Sequence, residues 1–135
     1  KYILKVAGKY FIIENINRNC AHTEASFMWG ICLDSKSLEN GLFQAVVQYK
    51  IDNSKAFVIS PKANYELDIK RIRELPAPLR FVYGEQASPR NHPDMAGVII
   101  GIRWHFKRNC CFYTIRINGK TKSKRYFDDD LISAI

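Results

Sequence analysis

The chain has 135 residues, 47% of them apolar and 25% charged, which is ordinary for a folded protein and excludes the charge-dominated composition of a disordered segment. No run approaches the roughly 20 apolar residues of a membrane-crossing helix; the greasiest, Ala96 to Trp104, is short and interrupted by glycine. Twenty-one lysines and arginines against 13 acids give a net charge of +8, which favours acidic partners without naming one.

Strand patterning runs through the N-terminal half. Tyr2 to Val6 and Tyr10 to Ile13 are β-prone runs around an Ala7-Gly8 turn. Phe27, Trp29, Ile31 and Leu33 alternate with Met28, Gly30 and Cys32, and Phe43, Ala45, Val47 and Tyr49 alternate with Gln44, Val46 and Gln48, which predicts two half-buried strands. Asp52-Asn53-Ser54 has turn chemistry, and Ala56 to Ile59 is a short strand that Ser60-Pro61 ends. Asn64 to Leu75 fits both periods and predicts a strand running into a short helical turn. Two prolines in Leu75-Pro76-Ala77-Pro78-Leu79 bar a helix and mark a boundary between a β-rich part, residues 1–76, and a second part, residues 80–135.

Beyond the boundary, Phe81-Val82-Tyr83 reads as a short strand and Gly84 to Asp94 as a loop. Val98, Ile100, Ile102, Trp104 and Phe106 then alternate with Gly101, Arg103, His105 and Lys107, with Ile99 an apolar exception, so one face is core and the other wet and basic. Gly97 and Gly101 mark a bulge or a bend. Phe112 to Ile117 and Thr121 to Phe127 flank Asn118-Gly119, a strong hairpin signal. A plain two-residue turn puts Lys120, Lys122 and Lys124 on the face of Ile117, Ile115 and Tyr113. A bulge at Gly119 or Lys120 opposes Ile117 to Thr121 and Tyr113 to Arg125, joins Phe127 to the apolar face and leaves Arg116, Lys122, Lys124 and Tyr126 outside. The cost of burying unpaired charge favours the bulged register. Asp128-Asp129-Asp130 suits the positive end of a first helical turn.

The order short strand, long loop, long bent strand, hairpin and terminal turn, carried by Phe81 to Gly84, Gly97 to Phe106, Tyr113 to Gly119 and Arg125 to Leu131, resembles the Src-homology-3-like small barrel in its Tudor or KOW variety. The likeness is one of layout and brings no residue role with it. The first half repeats the plan in part: Phe27 to Leu33 parallels Val98 to Phe106, Phe43 to Ile51 parallels Phe112 to Ile117, and Glu66-Leu67-Asp68 parallels Asp128-Asp129-Asp130-Leu131. The expected fold is therefore mainly β: two such barrels in tandem, or one all-β or α+β domain with a C-terminal small barrel.

From Arg103 to Phe127 there are eight cations and no acid. Arg103, His105, Lys107, Arg116, Lys122, Lys124 and Tyr126 are the expected binding face, a cationic ribbon with an aromatic edge that suits a phosphate backbone. A solvated charged face that blunts sheet edges is the plainer alternative. Trp29, Tyr49, Phe81, Tyr83, Trp104 and Phe106 read first as core, and second as a groove for a protein partner, as in an adaptor or immunity-type protein.

No catalytic set is expected. Cys20-x-His22, and His105 near Cys110, lack an orienting third group, and neither cysteines nor histidines cluster at metal-ligand spacing. No cofactor is implied and no membrane partner. Cys20, Cys32, Cys110 and Cys111 read as reduced thiols, which points to the cytoplasm.

Overall fold

The computed structural model describes residues 2–6, 9–13, 28–33, 43–60 and 64–134, and of the first two segments the backbone pairing. Tyr2–Val6 (β1) and Lys9–Ile13 (β2) pair antiparallel with Val6 opposite Lys9, and the expected Ala7-Gly8 turn lies outside the described residues.

Two larger antiparallel sheets follow, so the mainly β expectation holds. The first contains Met28–Cys32 (β3), Val46–Asp52 (β4), Lys55–Ile59 (β5), Asn64–Asp68 (β6) and Ile72–Glu74 (β7), in the order β6-β5-β4-β3-β7. A 3-10 turn at Ile69–Arg71 separates β6 from β7, the short helical turn that the mixed periodicity predicts. The Asp68 carboxylate caps it by accepting from the Lys70 N–H at 2.9 Å.

The second contains Gln86–Pro89 (β8), Gly97–His105 (β9), Cys110–Ile117 (β10), Lys120–Thr121 (β11), Tyr126–Phe127 (β12) and Leu131–Ser133 (β13). Its order is β11-β10-β9-β8-β13, with β12 also on β10. The acids Asp128–Asp130 form a second 3-10 turn, where the Asp130 carboxylate accepts from the Phe127 N–H at 2.9 Å.

Both sheets follow one plan: the first strand lies between the second and the last, and a three-residue 3-10 turn precedes the last. The repeat read from the sequence is one strand out of phase, because β3 corresponds to β8 and β4 to β9. Gln86-Ala87-Ser88-Pro89 falls within the expected loop, and it has no aromatic or β-branched residue to favour a strand. Ala87 and Ser88 are fully buried between β9 and β13, and tertiary packing makes the strand. Conversely, Phe81-Val82-Tyr83 lies outside any ladder, and its apolar side chains plug the space between the sheets. Among the described residues neither sheet closes into a barrel.

Parity along β9 and β10 explains the apolar exception. Gly101 faces Thr114 while Ile99 faces Ile115, so Ile100 is an extra residue and the faces switch there. Ile99, Ile102 and Trp104 thereby share the inner face with Cys111, Tyr113, Ile115 and Ile117. Gly97 has a separate reason to be glycine: a Cβ there would meet the Arg116 carbonyl oxygen at 2.8 Å and Ile117 Cγ1 at 2.7 Å.

The hairpin corrects the bulged register. Asn118 (φ 52°) and Gly119 (φ 76°) both occupy the left-handed region of a two-residue turn, and Ile117 pairs with Lys120 and Arg116 with Thr121. The lysines nevertheless escape burial, because the slip comes later. Tyr113 pairs with Tyr126 and Phe112 with Phe127, two residues beyond strict register, so the chain loops out over residues 122–125.

One core joins the two sheets. Trp29, Ile31 and Val46 of the first pack with Leu75, Leu79, Phe81, Val82 and Tyr83 of the connection and with the inner face of the second. The Tyr83 hydroxyl donates to the Val46 carbonyl at 2.6 Å, and its ring stacks on Trp29 with centroids 6.2 Å apart. Backbone joins them as well: Ala45 bridges to Arg103, and the Trp104 N–H donates to Gln44 at 2.7 Å. The first sheet is apolar on its other face too, where Cys32, Val47, Tyr49, Ala56, Val58, Leu67 and Ile72 form a second buried cluster. The half-buried strands expected at β3 and β4 are thus buried on both faces.

Candidate functional site

The outer face of the second sheet carries Arg103 and His105 on β9 and Cys110, Phe112, Thr114 and Arg116 on β10, all of opposite parity to the inner-face residues. Register places Arg103 beside Phe112 and Phe112 beside Phe127, one row across three strands. His105, Phe112 and Phe127 form a near-equilateral set of rings, with centroids 5.8 Å (His105 to Phe127), 5.9 Å (Phe112 to Phe127) and 6.1 Å (His105 to Phe112) apart. Two guanidinium groups cover them. Arg108 lies 4.0 Å from the centroid of Phe127, and Arg125 lies 5.1 Å from that of Phe112.

Local structure explains why Arg108 sits there. Phe106 to Asn109 form the four-residue turn between His105 and Cys110, which ends on Asn109 in the left-handed region at φ 50°. Within it the Arg108 N–H donates to His105 Nδ1 at 3.1 Å, which fixes the imidazole orientation and directs the arginine back over the sheet. Arg125 reaches Phe112 because residues 122–125 loop out beside β10.

The sequence-predicted residues divide. Arg103, His105, Lys107 and Arg116 belong to this face or its bordering turn, and Arg103, Lys107 and Arg116 are exposed. The Arg103 guanidinium also donates to the Phe43 carbonyl at 3.3 Å. Lys122 is half-buried, and its backbone N–H donates to Ile115 at 3.0 Å. Lys124 lies 5.3 Å from the Tyr126 ring and lines a small cleft with Arg90, Asn91, Asp129 and Asp130, two of them acids. Tyr126 is the clear correction: expected outside, it is buried in the shared core, because the one-residue bulge that would turn it out is absent and the later two-residue slip preserves parity, which leaves it on the face of Tyr113.

Arg108, Phe112, Arg125 and Phe127 are the site residues that sequence reasoning missed. Phe112 was legible, since it alternates against Tyr113, Ile115 and Ile117. Phe127 and Arg125 were not, because their placement follows from the slip.

A second cleft, of about 560 Å³, lies where the sheets meet, lined by Arg73, Glu74, Pro76, Ala77, Trp104 and Asn109. Exposed Phe106 lies near it, tilted at 35° to the Phe43 ring with centroids 5.9 Å apart, and Arg73 is 6.0 Å from its ring.

Buried titratable groups cluster on the inner face. Burial pushes the Cys111 thiol up to about 12, with Asp128 and Cys110 adding to the rise. The Tyr113 hydroxyl, donating to Asp128 at 2.7 Å, is raised above its ordinary value by burial first and by Cys111 and Asp128 next. Both are held protonated. Among the described residues no group of three His, Cys, Asp or Glu is placed to hold a metal ion; Cys20 and His22 lie outside them.

The model of a family of unknown function, DUF6960, matches residues 29–132, which takes in both large sheets except Met28 and Ser133. The chain belongs to this family. No curated protein and no solved structure matches it. No helix among the described residues is long and apolar enough to cross a membrane.

Proposed function

We propose that this protein is a non-catalytic binding module that takes nucleic acid on the outer face of its second sheet. The observation that carries the reading is the ring cluster His105, Phe112 and Phe127 lying under Arg108 and Arg125, in a stretch of chain with eight cations and no acid. Cations that neutralise phosphates release condensed counterions, and the half-buried His105 and Phe127 with the exposed guanidinium groups over buried Phe112 and over Phe127 offer bases a surface. Two features support the likeness to the Src-homology-3-like barrel: the last strand lies beside the first, and a 3-10 turn precedes it. That likeness concerns architecture and is independent of the ligand.

The test is a titration of labelled DNA and RNA at two salt concentrations, comparing the parent with Lys107→Ala/Arg116→Ala. Binding should fall steeply with salt, and each lost cation should lower the log–log slope by about 0.9 on duplex DNA or about 0.7 on a single strand. Absence of binding at low salt, or an unchanged slope in the double variant, discards the reading. The cleft at Trp104, with exposed Phe106 beside it, favours the second reading, a protein-interaction module. In that case affinity depends on Phe106 and hardly on salt.

A further inference from the structure

The nucleic-acid reading leaves open which form of nucleic acid the face is built for, and the geometry of its cations bears on this. Arg108 and Arg125 do not project freely into solvent as Arg116 does. Each lies over an aromatic ring, Arg108 at 4.0 Å from Phe127 and Arg125 at 5.1 Å from Phe112. Both side chains are exposed, and a guanidinium held over a ring can offer its planar group to a further ring while its N–H edge reaches an anion. The two rings are cross-strand partners with centroids 5.9 Å apart, and His105 stands against both. Rigid β-ladder pairing and the Arg108 N–H to His105 Nδ1 bond fix this set in place. The result is a short platform of two adjacent sites on a sheet, with Arg103 in the same row and Arg116 four residues along β10 from Phe112.

A platform of this kind discriminates by what it can touch. Bases of a duplex are stacked on each other and present only their edges and the phosphates; bases of a single strand present their planar faces. A plain basic surface would serve a duplex equally well and would have no use for guanidinium groups held within 4.0 and 5.1 Å of ring centroids. We propose, resting on the nucleic-acid reading above, that this face binds single-stranded nucleic acid, with two neighbouring bases stacking at Arg108/Phe127 and Arg125/Phe112 and the flanking phosphates taken by Arg103 and Arg116. Sequence preference should be slight, since every base has a planar face.

The experiment measures fluorescence anisotropy of a labelled oligouridylate and an oligothymidylate of about twelve nucleotides and of a duplex of the same length, a span within one small β-domain's reach. Heparin and polyglutamate serve as competitors. The parent is compared with Arg108→Lys/Arg125→Lys, which keeps both charges and loses the planar groups, and with Phe127→Leu, which keeps apolar bulk; thermal melting of each variant controls for folding. The single strands should bind more tightly than the duplex. The double lysine variant should lose about tenfold or more of its single-strand affinity while its heparin affinity stays within about twofold. Duplex binding as tight as single-strand binding, or single-strand binding unaffected by the lysine variant, overturns the stacking platform and leaves the wider nucleic-acid reading standing. Polyglutamate displacing the oligonucleotide as well as unlabelled oligonucleotide does overturns it in favour of an acidic protein partner. Binding to neither form at low salt removes both readings together.

Discussion

The two large sheets share a strand order and differ in what they do with their faces. The first is apolar on both sides: Trp29, Ile31 and Val46 enter the core between the sheets, and Val47, Tyr49, Ala56 and Val58 enter the second cluster. The other turns Ile102, Trp104, Tyr113 and Ile115 inward and Arg103, His105, Phe112 and Arg116 outward. A sheet covered on both faces is scaffold, and one with a free face can present a site. Repetition of one plan thus yields two sheets with differently composed faces, set by the residues of opposite parity on equivalent strands.

The comparison breaks most sharply if the sheets are separated. Residues 80–135 expressed alone lose Trp29, Ile31 and Val46 from the shared core and the bond from Tyr83 to Val46, so they should fail to give a cooperative thermal transition or dispersed amide resonances. A fragment that melts cooperatively would mean that each sheet keeps a core of its own. In the intact chain the largest single-residue effect should come from Phe81→Ala, which empties a site packed edge-on against Tyr113 at 5.4 Å. About 3–5 kcal/mol of stability should be lost by chemical denaturation.

Alkali should act on the same core. Cys111 is raised from its ordinary 9.0 to about 12, and Tyr83 and Tyr113 are raised from 10.0, all chiefly by burial. A raised value means that the folded chain keeps protons that the unfolded chain releases. Stability is therefore intact below about pH 9 and falls above it, by about 1.4 kcal/mol per pH unit for each group in that condition. Melting temperatures should be flat up to that point and then drop through pH 11, and Cys111→Ala should make the drop shallower. Tyr83→Phe should cost about 1–3 kcal/mol at neutral pH, because the Val46 carbonyl loses its buried donor.

How much of this was legible depends on where the period-2 pattern runs unbroken. β3, β4 and β9 came from alternation, β5 from a short apolar run ended by Ser60-Pro61, and β10 with its turn at Asn118-Gly119 from residues that tolerate positive φ. β8 was hidden because Ala87 and Ser88 carry no strand preference and are held by neighbours on both sides. The site was half legible for a related reason. Arg103, His105 and Phe112 follow from parity, whereas Tyr126, Phe127 and Arg125 depend on two extra residues between Thr121 and Tyr126, and an argument from charge burial put the slip at the turn instead. Either position spares the lysines, so the energetic argument had no power to choose between them.

The smallest effects on stability, and the ones that separate the sheets' roles, should come from the free face. Lys107 and Arg116 are exposed, so replacing either with alanine should change stability by no more than about 0.5 kcal/mol. Arg108→Ala removes a guanidinium resting on Phe127 and should cost about 0.5–1 kcal/mol, the worth of an exposed cation–π contact. The same three substitutions should each lower the salt dependence of single-strand binding by about 0.7 in log–log slope. Substitutions in the first sheet should reverse this order. Gly30→Ala, whose Cβ would lie 2.5 Å from the Tyr49 ring, should destabilise by about 1–3 kcal/mol and leave the slope of whatever remains folded unchanged. Denaturation and salt titration on one set of variants therefore sort the two sheets by independent measurements. A loss of more than about 1 kcal/mol from Lys107→Ala would mean that the outer face is structural after all, covered or braced as the first sheet is.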